Sequence, residues 1–176
     1  MADLFALKST AVFSPCRTWR YLLYREVQAT GPLILFSGIN GSTAAEDDED
    51  QTSMKWRGFT LRHGGRAYMA VNPFAKTATD PRELATCADP IGPDNDRHIA
   101  EAIAKADILV PCWGNRTKAP KHLRYRFDWM LDQMFASGKP VLIFGLTKGG
   151  DPTHPLMLGY DTPLVPAGRT ALGVKP

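Results

Sequence analysis

Short apolar runs alternate with amphipathic stretches along the chain. The runs cover residues 33–36, 68–71, 108–110 and 141–144, and each is continuous rather than alternating. Continuous runs of this length indicate strands buried on both faces of a parallel sheet. Strands that alternate with helices predict right-handed crossovers between parallel neighbours. The pattern therefore predicts an α/β fold, a single three-layer domain with a four-stranded parallel sheet as its core.

The stretches between the runs carry helix signals. A capping residue, Asp50 or Thr52, precedes a segment that extends to about residue 63, where two glycines follow. Apolar residues at helical spacing predict two further helices, over about 93–106 and 120–136. At 80–83, the order aspartate, proline, arginine, glutamate predicts a short capped helix start.

The two ends of the chain give weaker signals. Residues 19–27 mix aromatic and aliphatic side chains with arginines, which indicates an N-terminal edge strand or a lead-in segment. The tail from residue 159 is interrupted by prolines and glycines and is predicted to be coil. One domain over 1–176, with its core at about 19–158, is the expected organisation.

Composition restricts the class of protein. The 176 residues are 44% hydrophobic and 22% charged, which is ordinary for a globular protein. No apolar run approaches the roughly 20 residues that span a bilayer, and the first ten residues carry no secretory signal. The three cysteines lack pairing or metal-ligand spacing, which is typical of a reducing compartment. We therefore expect a cytoplasmic protein with no membrane partner.

The net charge of +3 is distributed unevenly. Residues 46–50 are an unbroken acidic run, which we interpret as a solvated loop. A second segment contains five basic residues and no acid within eleven positions, and it is either an exposed helix face or a phosphate-contacting surface. Its basic residues are Arg116, Lys118, Lys121, Arg124 and Arg126.

A polar turn follows each of the four apolar runs. The turns cover residues 38–43, 71–74, 112–115 and 151–155. In an open parallel sheet, ligands bind beyond the carboxyl ends of the strands. The four turns are therefore expected to face one crevice.

Each of the first two turns contains an asparagine that could contact a ligand. Asn40 stands beside small residues, which let backbone amides approach a ligand, and it is suited to orienting a water or holding a ribose or base. These small neighbours are Gly38, Gly41, Ser42 and Thr43. Asn72 precedes Pro73, so its backbone is extended, and its amide can read a base edge. For both turns the alternative is an ordinary strand-end turn bonded to its own backbone.

Each of the last two turns contains a side chain with a ring, an indole in one and an imidazole in the other. Trp113 either closes the core or stacks on a base, and Asn115 follows it. His154 lies in a rigid loop that also contains Lys148, and it is a candidate electrophile or positive partner for developing charge. The histidines and cysteines show no metal-ligand spacing, and no Gly-x-Ser-x-Gly elbow is present. We therefore expect no metal, no cofactor and no covalent nucleophile.

Several longer motifs resemble a known family. Over about residues 19–166 the chain resembles a widespread uncharacterised microbial family with an Asn-Pro-Ser-Thr-Ala hallmark, labelled as a domain of unknown function. Gly41 stands where that family normally has proline, which implies a more flexible first loop. The matching pieces are residues 40–44, 72–75, 79–81, 92–96, 113–115, 145–148 and 154–156.

The order of the four turns also resembles the uracil-DNA glycosylase superfamily, which has a four-stranded parallel sheet. That resemblance implies that Asn40 positions the attacking water and Asn72 reads a base flipped out of the stack. It implies that His154 stabilises the departing base anion and that the basic segment 116–126 holds phosphates. Leu156 replaces the serine of that superfamily's His-Pro-Ser loop.

The leading hypothesis is a nucleic-acid- or nucleotide-directed N-glycosidase-like hydrolase. A non-catalytic module that binds a nucleotide or modified base is the alternative, and a protein-interaction partner is a third. The base, the polymeric or free state of the substrate, the effect of Gly41 on activity and the oligomeric state stay open. The predicted site comprises catalytic Asn40 and His154; base- or nucleotide-binding Gly38, Ser42, Thr43, Asn72, Trp113 and Asn115; and phosphate-binding Arg116, Lys118, Lys121, Arg124 and Lys148.

Overall fold

The computed structural model describes residues 7–41 and 50–174 and shows a mixed α/β fold. Its α-helices are α1 (Gln51–Arg62), α2 (Asn95–Lys105) and α3 (Tyr125–Ala136). Its strands are β1 (Ser9–Phe13), β2 (Arg20–Glu26), β3 (Leu33–Ser37), β4 (Asn40–Gly41), β5 (Ala67–Val71), β6 (Phe74–Thr77), β7 (Ile108–Pro111), β8 (Leu142–Ile143) and β9 (Val165–Pro166).

Five strands form the main sheet in the order β1-β2-β5-β3-β7. The strands β5, β3 and β7 are parallel, with Leu35 opposite both Met69 and Leu109. β2 joins β5 in the antiparallel direction, and β1 joins β2 in the same way. The sheet is therefore mixed, and β2 begins at the edge where the parallel strands end.

The observed sheet differs from the predicted four-stranded parallel core in two places, the fourth apolar run and residues 20–26. Val141 makes a single parallel bridge to Leu109, and β8 then pairs in the antiparallel direction with β9. The tail was predicted as coil, but it contains the short strand β9, which pairs with the fourth apolar run. Residues 20–26 are an internal strand rather than the sheet edge, because the half-buried β1 covers them.

Two apolar clusters cover the two faces of the sheet. Leu35, Met69 and Leu109 pack with α2 and α3 on one face. Ile34, Phe36 and Tyr68 pack with Trp56 and Phe59 of α1 on the other. Strand residues alternate between the clusters, as continuous apolar runs require when both faces are covered.

Helix boundaries agree closely with their capping signals. Asp50 caps α1 by accepting the Ser53 N–H at 2.7 Å, and the helix ends before His63. Asp80 and Glu83 form the predicted capping box, although the segment they begin is a 3-10 helix. Within residues 7–41 and 50–174, no helix is long and apolar enough to cross a bilayer.

Candidate functional site

A cleft of about 530 Å³ opens at the carboxyl ends of the parallel strands. All four predicted turns reach it, because Asn40 follows β3, Asn72 follows β5, Trp113 follows β7 and His154 follows the run at 141–144. Gly38, Lys118 and Leu156 also line it. Its volume falls within the range of small-molecule sites.

Asn40 is oriented by two backbone carbonyls. Its Nδ2 donates to the Ala78 oxygen at 2.6 Å and to the Gly41 oxygen at 3.1 Å. These bonds engage both amide hydrogens and hold the short β4 strand beside β6, where Asn40 faces Phe74. The acceptor Oδ1 is therefore the atom that Asn40 can offer to a water or a ligand.

Asn72 is almost completely enclosed beside the cleft. Only 2% of its surface is exposed, and its Oδ1 has no hydrogen-bond partner among the described residues. Asn95 Nδ2 donates to the backbone carbonyls of Asn72 and Pro73, which fixes this turn. A Cβ at Gly38 would lie 3.0 Å from Asn72 Oδ1, so glycine keeps that space open. A buried amide oxygen without a partner is costly, and a ligand donor would satisfy it.

Trp113 forms part of the apolar core as well as the cleft wall. Its ring is fully buried and lies 5.2 Å from the Phe127 ring, centroid to centroid. The ring therefore closes the core, which was one of the two alternatives that the sequence left open. Its Nε1 is buried without a hydrogen-bond partner in the described part of the chain.

The hydrogen bond at His154 defines its neutral tautomer. Nδ1 accepts the Leu156 N–H at 3.2 Å, so the proton of the neutral ring resides on Nε2. Burial, together with the charge of Lys118, lowers the pKa of His154 to about 4, and the Asp50 charge acts in the opposite direction. At neutral pH the ring is thus an uncharged donor, which favours an electrophilic role over a cationic one.

The loop that carries His154 is tied to the turn after β7. Asp151 is buried and accepts bonds from Arg116 Nε at 2.5 Å and from the Arg116 N–H at 3.0 Å. The Gly114 N–H donates to the Pro152 carbonyl at 2.8 Å. Gly114 has φ +73°, and a Cβ there would lie 3.2 Å from His154 Cβ. The two turns therefore form one unit that positions the histidine.

Asp151 is expected to be a major determinant of stability in this unit. Replacing Asp151 with alanine leaves Nε of the half-buried Arg116 and the Arg116 backbone N–H without their acceptor. This loss should lower the free energy of unfolding by roughly 2–4 kcal/mol. Urea denaturation measures the loss. Asp128→Ala removes the exposed partner of the same arginine and should cost under about 1 kcal/mol. Equal losses in the two variants would contradict this assignment.

His154 is also expected to make stability depend on acid pH. Its folded pKa of about 4 lies below its ordinary value of 6.5, so the unfolded chain binds more protons between these pH values. The contribution of His154 to stability is then present above pH 6.5, and about 3 kcal/mol of it is lost as the pH falls to 4. Urea denaturation at pH 7.5 and 4.5 should show a smaller fall for His154→Gln than for the native chain. An identical fall would refute the shifted pKa.

Most of the predicted phosphate-binding residues lie outside the cleft. Lys118 lines it, whereas Lys121 and Lys148 are exposed elsewhere. Arg116 is paired with Asp151 and Asp128, and Arg124 donates to the carbonyls of Ala119 and Thr117. The roles of these side chains in phosphate binding stay predictions.

The remaining predicted residues are placed as follows. Asn115 is exposed and outside the cleft, where its Oδ1 accepts the Thr117 N–H and hydroxyl to begin the 3-10 helix Arg116–Lys118. Ser42 and Thr43 lie outside the described residues, as does the acidic run up to residue 49.

Sequence reasoning missed Arg20 and Asp50 as cleft residues. Arg20 is the first residue of β2, is only 3% exposed and lines the cleft. Burial lowers the pKa of Arg20, and the charge of Asp50 acts in the opposite direction. An arginine directly before the apolar residues of β2 was the available signal, but only the antiparallel pairing of β2 with β5 brings it to this edge.

Fold and site together define a mixed α/β protein with a polar cleft at the carboxyl edge of its parallel strands. The chain belongs to the family described as "Protein of unknown function (DUF1643)", which matches residues 20–156. Both end residues of that match, Arg20 and Leu156, line the cleft. Searches of curated proteins and of solved structures gave no match.

Proposed function

We propose that this protein is an N-glycosidase-like hydrolase that acts on a nucleotide, free or within a nucleic acid. The supporting observation is that Asn40, with its oriented Oδ1, and neutral His154, with its Nε2–H, line one cleft. The enclosed amide of Asn72 lines the same cleft. An acceptor for water, a donor for a leaving anion and an amide for a base are the groups that such a hydrolysis needs.

In the proposed reaction the C–N glycosidic bond breaks, and the base leaves with the bonding electron pair. His154 Nε2–H donates a hydrogen bond to the base anion, which then takes a proton from solvent. Water, oriented by Asn40 Oδ1, adds to the sugar carbon and releases its own proton to solvent. The His154 ring stays neutral throughout, as its lowered pKa favours.

The cleft favours departure of the base over strong deprotonation of the water. Asp50 is the carboxylate that lines the described part of the cleft, and its Oδ1 accepts the Ser53 N–H at 2.7 Å as the cap of α1. An asparagine orients water without taking its proton. Stabilising the developing charge on the base is therefore the main contribution expected of the protein.

Release of free base is the direct test. The full chain is incubated with the common nucleosides, their 5′-monophosphates, and single- and double-stranded oligonucleotides that include uracil and deaminated bases. Mass spectrometry then detects free base, and His154→Ala, purified in parallel, controls for contaminating activity. Base release that depends on His154 is the expected result. Saturable binding of one of these compounds without release would replace the hydrolase by a binding module.

A further inference from the structure

The position of the Asn72 amide is set by the backbone of the turn that follows β5. Asn72 is only 2% exposed and lines the cleft together with Gly38. The amide faces that glycine, since a Cβ at Gly38 would lie 3.0 Å from Asn72 Oδ1. An enclosed amide cannot swing to follow a ligand, so the turn determines which groups of a ligand the amide can meet.

The Pro73 carbonyl accepts most of the hydrogen bonds that hold this turn from behind. Asn95 Nδ2 donates to it at 3.3 Å and to the Asn72 carbonyl at 3.0 Å. Arg126 Nε and Nη2 each donate to the Pro73 carbonyl at 3.4 Å. Both donor side chains are buried, and they come from the first turns of α2 and α3. Two helices therefore fix the backbone on which Asn72 stands.

Asp96 orients the Arg126 guanidinium toward the turn. Arg126 Nη2 donates to Asp96 Oδ1 at 2.5 Å, and Nη1 donates to Oδ2 at 3.3 Å. The guanidinium carbon also lies 3.9 Å from the centre of the Trp129 ring. A guanidinium that is bound through two donors and packed on an aromatic ring has a fixed plane, which a lysine does not reproduce. Contacts thus run without a break from Asp96 through Arg126 and Pro73 to Asn72.

We propose that Arg126, oriented by Asp96, is a positioning residue that makes the cleft selective for one base by holding the Asn72 amide in place. This inference rests on the proposed function for the base-bearing ligand and adds a determinant of its selectivity. Arg126 does not line the described cleft, so it acts through Asn72. Because Asn40 and His154 stand on other turns, loss of the Arg126 contacts should alter base selection more than the maximal rate.

Base selection is measured with five nucleosides and with five ten-nucleotide single strands that differ in one central base, which is adenine, guanine, cytosine, thymine or uracil. Selection is the ratio between the preferred base and the next one. It is taken from kcat/KM where base is released and from calorimetric affinity where the probe is only bound. The native ratio should be at least about tenfold, because paired amide contacts to a base edge discriminate that strongly.

Arg126→Lys should remove most of this selection, chiefly through KM, with kcat changed less than about threefold. Asp96→Asn should lower the ratio about threefold, because it weakens the bidentate pair that orients the guanidinium. The Asp96 side chain is 54% exposed, so this variant keeps the test available even if Arg126→Lys fails to fold. Glu101→Gln is the matched control, since it also converts an exposed, arginine-paired acid of α2 into an amide. It should leave selection unchanged.

A double-mutant cycle separates positioning from a general weakening of the structure. Asn72→Ala by itself should remove selection, so the addition of Asp96→Asn should lower the ratio no further. An equal effect of Asp96→Asn with and without the Asn72 side chain would overturn the inference. Native selection in Arg126→Lys would overturn it as well.

The same assays distinguish this inference from the proposed function. Release of base with native selection in both Arg126→Lys and Asp96→Asn would support the hydrolase and overturn the inference. Selective binding without release, lost in these variants, would support the inference and remove the hydrolase. A native chain that neither binds nor cleaves any of these probes would overturn both.

Discussion

Replacing His154 with alanine is expected to lower the rate of base release by at least about 100-fold while the fold persists. The ring lies in the cleft as a neutral Nε2–H donor because Nδ1 is bound to the Leu156 N–H. Alanine removes the hydrogen-bond donor that the proposal assigns to the departing base anion. Steady-state turnover on the substrate identified in the base-release assay measures the loss, and circular dichroism monitors the fold.

The pH profile tests the same assignment. Because the pKa of His154 is lowered to about 4, its protonation should not appear as a step near pH 6.5 in the turnover of the native chain. His122→Ala is the matched control, since His122 is exposed and lies outside the cleft. Native turnover in His154→Ala, or a step near pH 6.5 that disappears in that variant, would contradict the neutral-donor role.

Asn40→Ala is expected to reduce turnover by a similar factor, about 100-fold or more, with less change in KM. Without Oδ1 the attacking water loses the acceptor that orients it. The substitution also removes two hydrogen bonds, to Gly41 and Ala78, so a stability loss of about 1–2 kcal/mol should accompany the kinetic effect. Turnover and urea denaturation are therefore measured on the same preparations.

A control of comparable structural cost separates the two effects of Asn40→Ala. Ser137→Ala removes a hydroxyl that donates to the Met134 carbonyl and accepts the Lys139 N–H at the end of α3, outside the cleft. It should lower stability without lowering turnover at a temperature where both variants are folded. A kinetic loss in Asn40→Ala no greater than that in Ser137→Ala would remove the water-positioning role.

Local elements were predictable because their signals are local. The first buried strand and the capped start of α1 agree with the structure within one residue. The start of α3 was placed five residues early, because the segment after Pro120 begins as a 3-10 helix before Tyr125. Apolar periodicity identifies a helix face but does not distinguish the two helix types over one turn.

Sheet membership was less predictable, because it depends on distant parts of the chain. The run at 141–144 has the pattern of a buried parallel strand, yet β8 pairs with β9 from the tail. Likewise β2 is internal because β1 covers it, and no pattern within β2 indicates that neighbour. Hydrogen-bond partners across a sheet leave little trace in either strand alone.

The candidate site shows the same contrast between features with local signals and features that depend on distant parts of the chain. Asn40, Asn72 and His154 were identified from turns at strand ends, and these side chains line one cleft because parallel strands end at one edge. The arginines after β7 have the pattern of a basic surface, but Arg116 pairs with Asp151 and Asp128, and Arg126 pairs with Asp96. A charge in a sequence does not reveal which opposite charge the fold brings to it.

By itself, the sequence determined the α/β class, the main helices and strands, and the turns that could carry chemistry, because capping, periodicity and strand-end turns act over a few residues. Only the tertiary structure decided that the sheet is mixed, that Arg20 reaches the cleft, and that His154 is neutral. Each of these depends on burial, on pairing between distant segments, or on both. The physical reason is that desolvation and hydrogen bonding depend on a residue's surroundings in space, whereas helix and strand propensity depends on its neighbours in the chain.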